Sequence, residues 1–224
     1  RTGNQYRESI NDGRQVWIDG EKVKDICNHQ SLKPIIDIRA RMYDMAHEDK
    51  YQEKLTYLDE ETNELNTVYH KPPLTKDDWY EKDTAMDSLM NDIGGVVIRV
   101  SDETVGEMWS LFDGQDVLNE VDPQFAKNIE NHILRATRED PFHVSANTDP
   151  KGDRSRLPQD QDPDMLLHVV KETDAGIVVR GAKFETAAAY SNQAFVKPTI
   201  GGWAGNEKLS DYAVSFICDM GAPG

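Results

Sequence analysis

The chain has 224 residues, with 25 Lys plus Arg against 41 Asp plus Glu, giving a formal charge of −16. That length suits one large domain or two small ones, and the carboxylate excess repels phosphate backbones and anionic lipid, which argues against nucleic-acid and membrane-surface partners. Hydrophobic residues at 38%, with Trp, Tyr and Phe all present, exclude a disordered chain. No apolar run approaches the ~20 residues that span a bilayer, so the expected location is the cytoplasm. Cys27 and Cys218 stand far apart, in no disulfide framework and no zinc-like spacing.

Val16-Trp17-Ile18 and Lys22-Val23 flank Asp19-Gly20, a dipeptide suited to positive φ, and predict a small hairpin. Ile35, Ile38, Met42 and Met45 recur at helical spacing behind Ser31 and Pro34. A second hairpin pairs Leu55 to Leu58 with Leu65 to Tyr69. Thr75-Lys76-Asp77-Asp78 resembles a capping box, followed by Trp79, Met86, Leu89, Met90 and Ile93 at helical period up to Gly94-Gly95. Asp102 suits the start of a helix carrying Val105, Met108, Trp109 and Phe112. Asp122-Pro123 opens another, with Phe125, Ile129, Ile133 and Ala136 on one side.

Beyond Pro141 the texture turns to strands. Leu166 to Thr173 and Ile177 to Ala182, joined at Asp174-Ala175-Gly176, predict an antiparallel hairpin. Ala194 to Val196 and Tyr212 to Cys218 are further strands, and the Gly-rich stretch from Thr199 to Ser210 is either a lid or an ordinary surface loop. Helices followed by strands indicate an α+β fold: a mainly helical segment over 1–140 and a β-rich segment over 141–224.

The segment from Ser145 to Ser155 packs hydroxyls, carboxylates and two cations into one short turn. Such a loop can present N–H groups and hydroxyls to a polar cofactor edge, with Lys151 and Arg154 meeting phosphate. A solvated turn whose charges pair locally has the same composition. The histidines show no metal-type spacing, and no dinucleotide or phosphate-loop glycine motif occurs, so neither a protein metal site nor a nicotinamide domain is expected.

Several separated motifs then carry a resemblance. Tyr6-Arg7-Glu8-Ser9-Ile10-Asn11-Asp12-Gly13-Arg14, Asp149-Pro150, Asp153-Arg154-Ser155, and Glu172 to Ala182 resemble the 4-hydroxyphenylacetate 3-monooxygenase family and its relative 4-hydroxybutyryl-CoA dehydratase. The Thr148-Asp149-Pro150, Gly152-Asp153 and Gly181-Ala182-Lys183 spacing is also similar to the flavin-binding middle domain of acyl-CoA dehydrogenases. The resemblance covers nearly the whole chain. It implies an acyl-CoA dehydrogenase-like fold: a helical N-terminal domain, an antiparallel β middle domain that binds flavin, and a C-terminal helical bundle that lies outside this chain or in a partner subunit.

Carried over residue by residue, the resemblance implies that Ser145, Thr148, Lys151, Gly152, Asp153, Arg154 and Ser155 line FAD. Thr186, on the following strand, would approach the ring. It implies that Arg99 binds or polarises a phenolic substrate, with Glu103 four residues on where the monooxygenases have Tyr. Ser145 stands where they have His. His143, on the same strand face roughly 6.5 Å away, is a candidate replacement base. The dehydratase's iron–sulfur ligation needs cysteines, and none lies between Lys71 and Arg138.

The implied activity is that of the oxygenase component of a two-component FAD-dependent monooxygenase, hydroxylating a small aromatic, phenolic substrate. Reduced FAD would come from a separate flavin reductase, and the assembly would be a homo- or hetero-oligomer. The alternatives are a flavin-dependent acyl-CoA dehydratase or dehydrogenase, and a non-catalytic subunit of a split flavoenzyme.

Overall fold

A computed structural model of the chain describes residues 1–60, 62–96, 102–153 and 155–223, with backbone alone for 102–105. It divides into two compact units, Arg1–Phe142 and His143–Gly224. Arg99 and Arg154 lie outside the described residues. No helix among those described is long and apolar enough to cross a membrane.

The first unit is helical with two small hairpins. Helix α1 (Gly3–Ser9) begins on a reciprocal capping box between Thr2 and Gln5. Gly3 allows it to meet α2 (Lys33–Met45) closely: a Cβ at Gly3 would lie 2.6 Å from Ala40 O. The Gly3 N–H donates instead to Asp44 Oδ1 at 2.7 Å. Hairpin β1 (Trp17–Ile18) and β2 (Glu21–Lys22) turns through Asp19 and Gly20, both at positive φ (52° and 82°), as the dipeptide predicts.

Helix α3 (Asp49–Leu55) leads into hairpin β3 (Thr56–Asp59) and β4 (Glu64–Thr67). Leu55 therefore ends a helix instead of starting a strand. Helix α4 (Lys76–Asp92) starts on the predicted box, Thr75 bonding reciprocally with Asp78. Lys71 and then Thr75 hold the Asp78 carboxyl down at about 2. The predicted apolar positions of α2 and α4 converge on one core: Met42, Met45 and Leu89 are buried with Tyr51, Leu55, Val68, Tyr69 and Ala85, and Ile35, Ile38, Met86, Met90 and Ile93 pack around them. Trp79 is half exposed. Ser31 precedes the helix, whose cap is Leu32, while Pro34 sits in the first turn.

Helices α5 (Asp102–Asp113), α6 (Gln115–Val121) and α7 (Pro123–Glu139) follow. Asp122 caps α7 through Gln124 N, and Asp140, at φ 44°, terminates it. That left-handed aspartate then binds three elements. Its Oδ1 lies 2.9 Å from His70 Nε2, its Oδ2 accepts from Thr67 at 2.8 Å, and its carbonyl accepts from Tyr43 at 3.0 Å.

The second unit holds β5 (His143–Ala146), β6 (His168–Thr173), β7 (Gly176–Arg180), β8 (Gln193–Val196) and β9 (Phe216–Asp219). Strands β6 and β7 form the expected antiparallel ribbon. The three-stranded sheet has the order β5-β8-β9 and is mixed, since β5 runs parallel to β8. This corrects the wholly antiparallel expectation. Residues 147–192 make a long excursion between β5 and β8, and such a crossover lets the second strand return in the same direction. Tyr212, expected in a strand, lies in a 3-10 turn (Ser210–Tyr212) and packs edge-on against Trp203 at 6.2 Å. Only the end of that apolar run enters β9. The Gly-rich stretch is built: a 3-10 turn spans Gly201–Gly205, and Trp203 packs with Leu166, Leu209 and Tyr212.

Burial pushes the Asp140 carboxyl up, but the hydrogen bond from His70, the His70 charge and Thr67 outweigh it and leave the pKa well below the usual carboxylate range. A depressed folded pKa adds stability above the unfolded value near 4, and that stability is lost as pH falls through the range below it. Asp140→Asn is therefore expected to lower stability at pH 7 by about 1–3 kcal/mol. Urea titrations from pH 7 to pH 3 should show the gap between variant and parent narrowing below about pH 4.

Candidate functional site

The candidate loop leaves the C-terminal end of β5. Within that strand His143 and Ser145 point to one face and Val144 and Ala146 to the other, the alternation any strand imposes. Both polar side chains are buried, at 1% and 3% exposure. The expectation that they share a face one strand repeat apart is met by the register, which pairs His143 with Gln193 and Ser145 with Phe195.

Beyond Ala146 the loop is fastened through both backbone and side chains. Asn147 O accepts from Thr199 Oγ1 at 2.5 Å, and Thr148 O accepts from Phe184 N at 2.8 Å. Asp149 Oδ1 accepts from Lys183 Nζ at 2.6 Å, with both side chains about nine-tenths buried (9% and 11% exposed). Gln161 then reaches back across the turn, its Oε1 accepting from Asp153 N at 2.8 Å and its Nε2 donating to Arg156 O at 3.3 Å. A Cβ at Gly152 would overlap Gln161 Oε1 and Met165 Cε, the ends of two flexible side chains.

Within this frame the predicted residues divide. Asp153 and Ser155 engage each other: Asp153 Oδ1 accepts from the Ser155 amide at 3.0 Å and its hydroxyl at 2.6 Å, and these bonds lower the Asp153 pKa. Here one carboxylate of the turn is satisfied by its neighbour. Thr148, Lys151 and Gly152 are exposed. Thr186 is also exposed, in a turn and not on a strand, because pairing after β7 shrinks to isolated bridges at Ala182 and Phe184. The Thr148–Phe184 bridge sets an exposed Phe184 beside Thr148, and the hydroxyls of Thr148 and Thr186 donate to Asn147 Oδ1 and Glu185 Oε1 at 3.4 and 3.1 Å. Glu103 lies in α5, where the backbone alone is described, and Arg99 and Arg154 are outside the described residues.

Three residues that shape this region have no role assigned from the sequence. Lys183 and Gln161 hold the loop from outside it, and Gln193, 2% exposed, lies beside His143. Gln193 had a signal: it is the one polar residue in Gln193-Ala194-Phe195-Val196, a strand buried along its length. Lys183 and Gln161 had none, since their partners are fixed only by folding.

The loop's frame makes two comparisons testable. Lys183→Met leaves the Asp149 carboxylate buried and unpaired, expected to cost about 3 kcal/mol. Hydrogen exchange should speed at the Phe184 amide while the amides of the β5-β8-β9 sheet stay protected. Gly181, at φ 112°, would place a Cβ into the Leu166 carbonyl, whereas at Gly152 the overlap is with ends of flexible side chains. Gly181→Ala should therefore lower the melting temperature more than Gly152→Ala does.

Residues 2–224 match the family model described as 4-hydroxyphenylacetate 3-hydroxylase N terminal. The chain is 30% identical over its full length to the 4-hydroxyphenylacetate 3-monooxygenase oxygenase component of Thermus thermophilus, covering 45% of that protein. It is 29% identical to the 4-hydroxybutyryl-CoA dehydratase/vinylacetyl-CoA-Delta-isomerase of Clostridium aminobutyricum, again over 100% of this chain and 45% of that one. The crystal structure of the oxygenase component (HpaB) of 4-hydroxyphenylacetate 3-monooxygenase complexed with FAD and 4-hydroxyphenylacetate superimposes with a TM-score of 0.87 at 30% identity, over 100% of this chain and 46% of that chain. The chain thus spans a little under half the length of the relatives it matches. With the match running from Thr2 to the last residue, the chain belongs to the 4-hydroxyphenylacetate 3-hydroxylase N-terminal family.

Proposed function

We propose that this chain is the N-terminal and middle portion of the oxygenase component of a two-component monooxygenase that hydroxylates a phenolic substrate with reduced FAD and oxygen. One observation carries the reading: a loop with exposed Thr148 and Lys151, bridged at Thr148 to the exposed Phe184 and braced by the buried Asp149–Lys183 ion pair, with Thr186 exposed two residues further on. That donor set fits a flavin, which presents a flat apolar ring system, a hydrogen-bonding pyrimidine edge and phosphates. The similar structure noted above holds FAD together with 4-hydroxyphenylacetate.

In this reading Thr148 and Thr186 meet the polar edge of the ring, and Lys151 with Arg154 meets phosphate. Gly152, Asp153 and Ser155 contribute the turn itself: the Asp153 and Ser155 side chains are spent on each other, so their part is to fix the backbone that faces the cofactor. Arg99 orients the phenol, since a guanidinium stays charged at any working pH and holds phenolate or carboxylate oxygen; Glu103 lines the same region. Ser145 or His143 receives the phenolic proton. Reduced FAD, brought by a separate reductase, supplies the activation of oxygen. The exposed edge is to be closed by a helical bundle or partner subunit within an oligomer, which excludes water from the reaction. The setting is the cytoplasm, where reductase and substrate meet.

A second reading, flavin chemistry on an acyl-CoA, is favoured by the near-equal identity to the dehydratase. Two measurements separate them. Titrating the chain with FAD should quench flavin fluorescence saturably, and Lys151→Ala should weaken binding about tenfold, the scale of one charge-assisted phosphate contact. Assays with the remaining portion of the enzyme supplied should then show phenol hydroxylation that needs oxygen and a flavin reductase. Turnover of an acyl-CoA under nitrogen, without reductase, would move the chain to the second reading. Colour that develops only on adding a partner chain would mark a split enzyme.

A further inference from the structure

Strands β6 and β7 pair only with each other, and among the described residues Ile177 to Arg180 make no main-chain hydrogen bond beyond those to β6. The outer edge of β7 is therefore a row of unpaired N–H and C=O groups. Proteins guard such edges with bulges, charges or a covering element. Strand β6 has all three: its register shifts between Val169 and Lys171, Lys171 and Glu172 are charged, and the His168 ring packs on Tyr212 at 5.1 Å. Strand β7 has no such guard. Ile177-Val178-Val179 is a β-branched run without proline, bulge or charge, and Ile177 and Val178 stand 47% and 48% exposed.

The strand is also complementary to itself. A strand that pairs antiparallel with its own copy does so about a twofold axis, and residues directly opposite then project to the same side. Centred on Val178, such pairing sets Val178 against its own copy, Ile177 against the partner's Val179, and Gly176 against the partner's Arg180. The space beside Gly176 is open, since a Cβ built there meets nothing within 4 Å. Arg180 is exposed and loosely held, its Nη1 3.7 Å from Asp164 Oδ1. Opposite a glycine it has room to extend one diagonal step, about 7 Å, to the partner's Asp174 in the exposed turn. The twofold axis forms that contact twice.

We propose that β7 pairs with β7 of a second copy of this chain, joining two ribbons into one sheet of order β6-β7-β7-β6. A two-stranded ribbon is marginal alone, whereas four strands make a sheet of ordinary size. The edge groups supply main-chain hydrogen bonds, the Ile177, Val178 and Val179 contacts cover exposed apolar side chains, and Arg180 with the partner's Asp174 fixes the register. Association closes at two copies because the other edge of each ribbon, β6, is guarded. Each copy carries a formal charge of −16, which opposes approach, but at about 0.15 M ionic strength the Debye length is about 8 Å and the long-range repulsion is largely screened. No flavin enters this pairing, which stands apart from the monooxygenase reading.

Sedimentation of the 224-residue chain at that ionic strength, over a wide range of concentration, should show the mass rising from one chain toward two. Hydrogen exchange at the β7 amides that point away from β6 should slow in step. Val178→Lys sets two like charges against each other at the axis and should leave the chain monomeric. Arg180→Glu turns both attractions into repulsions and is expected to weaken association about tenfold. Asp174→Arg should do the same, and the two substitutions together should restore the parental affinity. All three positions are exposed, so far-UV circular dichroism should stay as in the parent; the charge swap decides alone if Val178→Lys does not fold. A chain that stays monomeric throughout overturns the proposal, as does a dimer that Val178→Lys and Arg180→Glu leave intact. Slow exchange at those amides in a monomer overturns it too, because a segment of the same chain would then be covering the edge.

Discussion

The candidate loop has its shape because one lysine, Lys183, is buried against one carboxylate, Asp149, thirty-four residues upstream. Two charges so far removed from water hold each other tightly in position, since separation would strand both in a poor solvent. The pair sits one residue from the Thr148–Phe184 backbone bond, so charge and main chain act on the same crossing. Gln161 adds the second brace at the far side of the turn. A loop held this way gives up little further freedom when it meets a ligand, and that saved entropy becomes affinity.

What was readable in the sequence was what is decided locally. The Asp19-Gly20 turn, the Thr75–Asp78 box and the Asp122-Pro123 helix start each depend on neighbours within a few residues, and all three occur. The apolar positions of α2 and α4 were legible because one period governs both burial and backbone geometry. Arg39 and Lys82 were not, because a buried cation is paid for by distant partners. The Arg39 guanidinium lies 3.8 Å from the Phe142 ring centroid, and Lys82 Nζ donates to the carbonyls of Val68 and Tyr69 at 3.0 and 2.7 Å. Sequence periodicity scores both as surface.

The site was legible in the same unequal way. Composition marks Thr148 to Ser155 as a turn rich in donors, but it is silent on which donors are used internally. Ser155 carries the same hydroxyl as Thr148, and only the fold turns it onto the Asp153 carboxylate. The family resemblance points to the same segment by another route, and within it Asp153 and Ser155 bond to each other while Thr148 and Lys151 are exposed. Alternation likewise identifies strands without their directions, which is why the parallel β5–β8 pairing required coordinates.

That pairing has an architectural consequence. Two parallel neighbours finish at the same edge, so the chain segments following Ala146 and Val196 depart side by side, and Lys197 N indeed donates back to Ala146 O at 3.2 Å. The donor-rich turn and the glycine-rich stretch around Trp203 are thus rooted in adjacent backbone, although more than fifty positions separate them along the chain. Drift in the length or composition of either one is felt first by the other. Diversification of such a rim would proceed by paired change, while the strands beneath it keep their alignment.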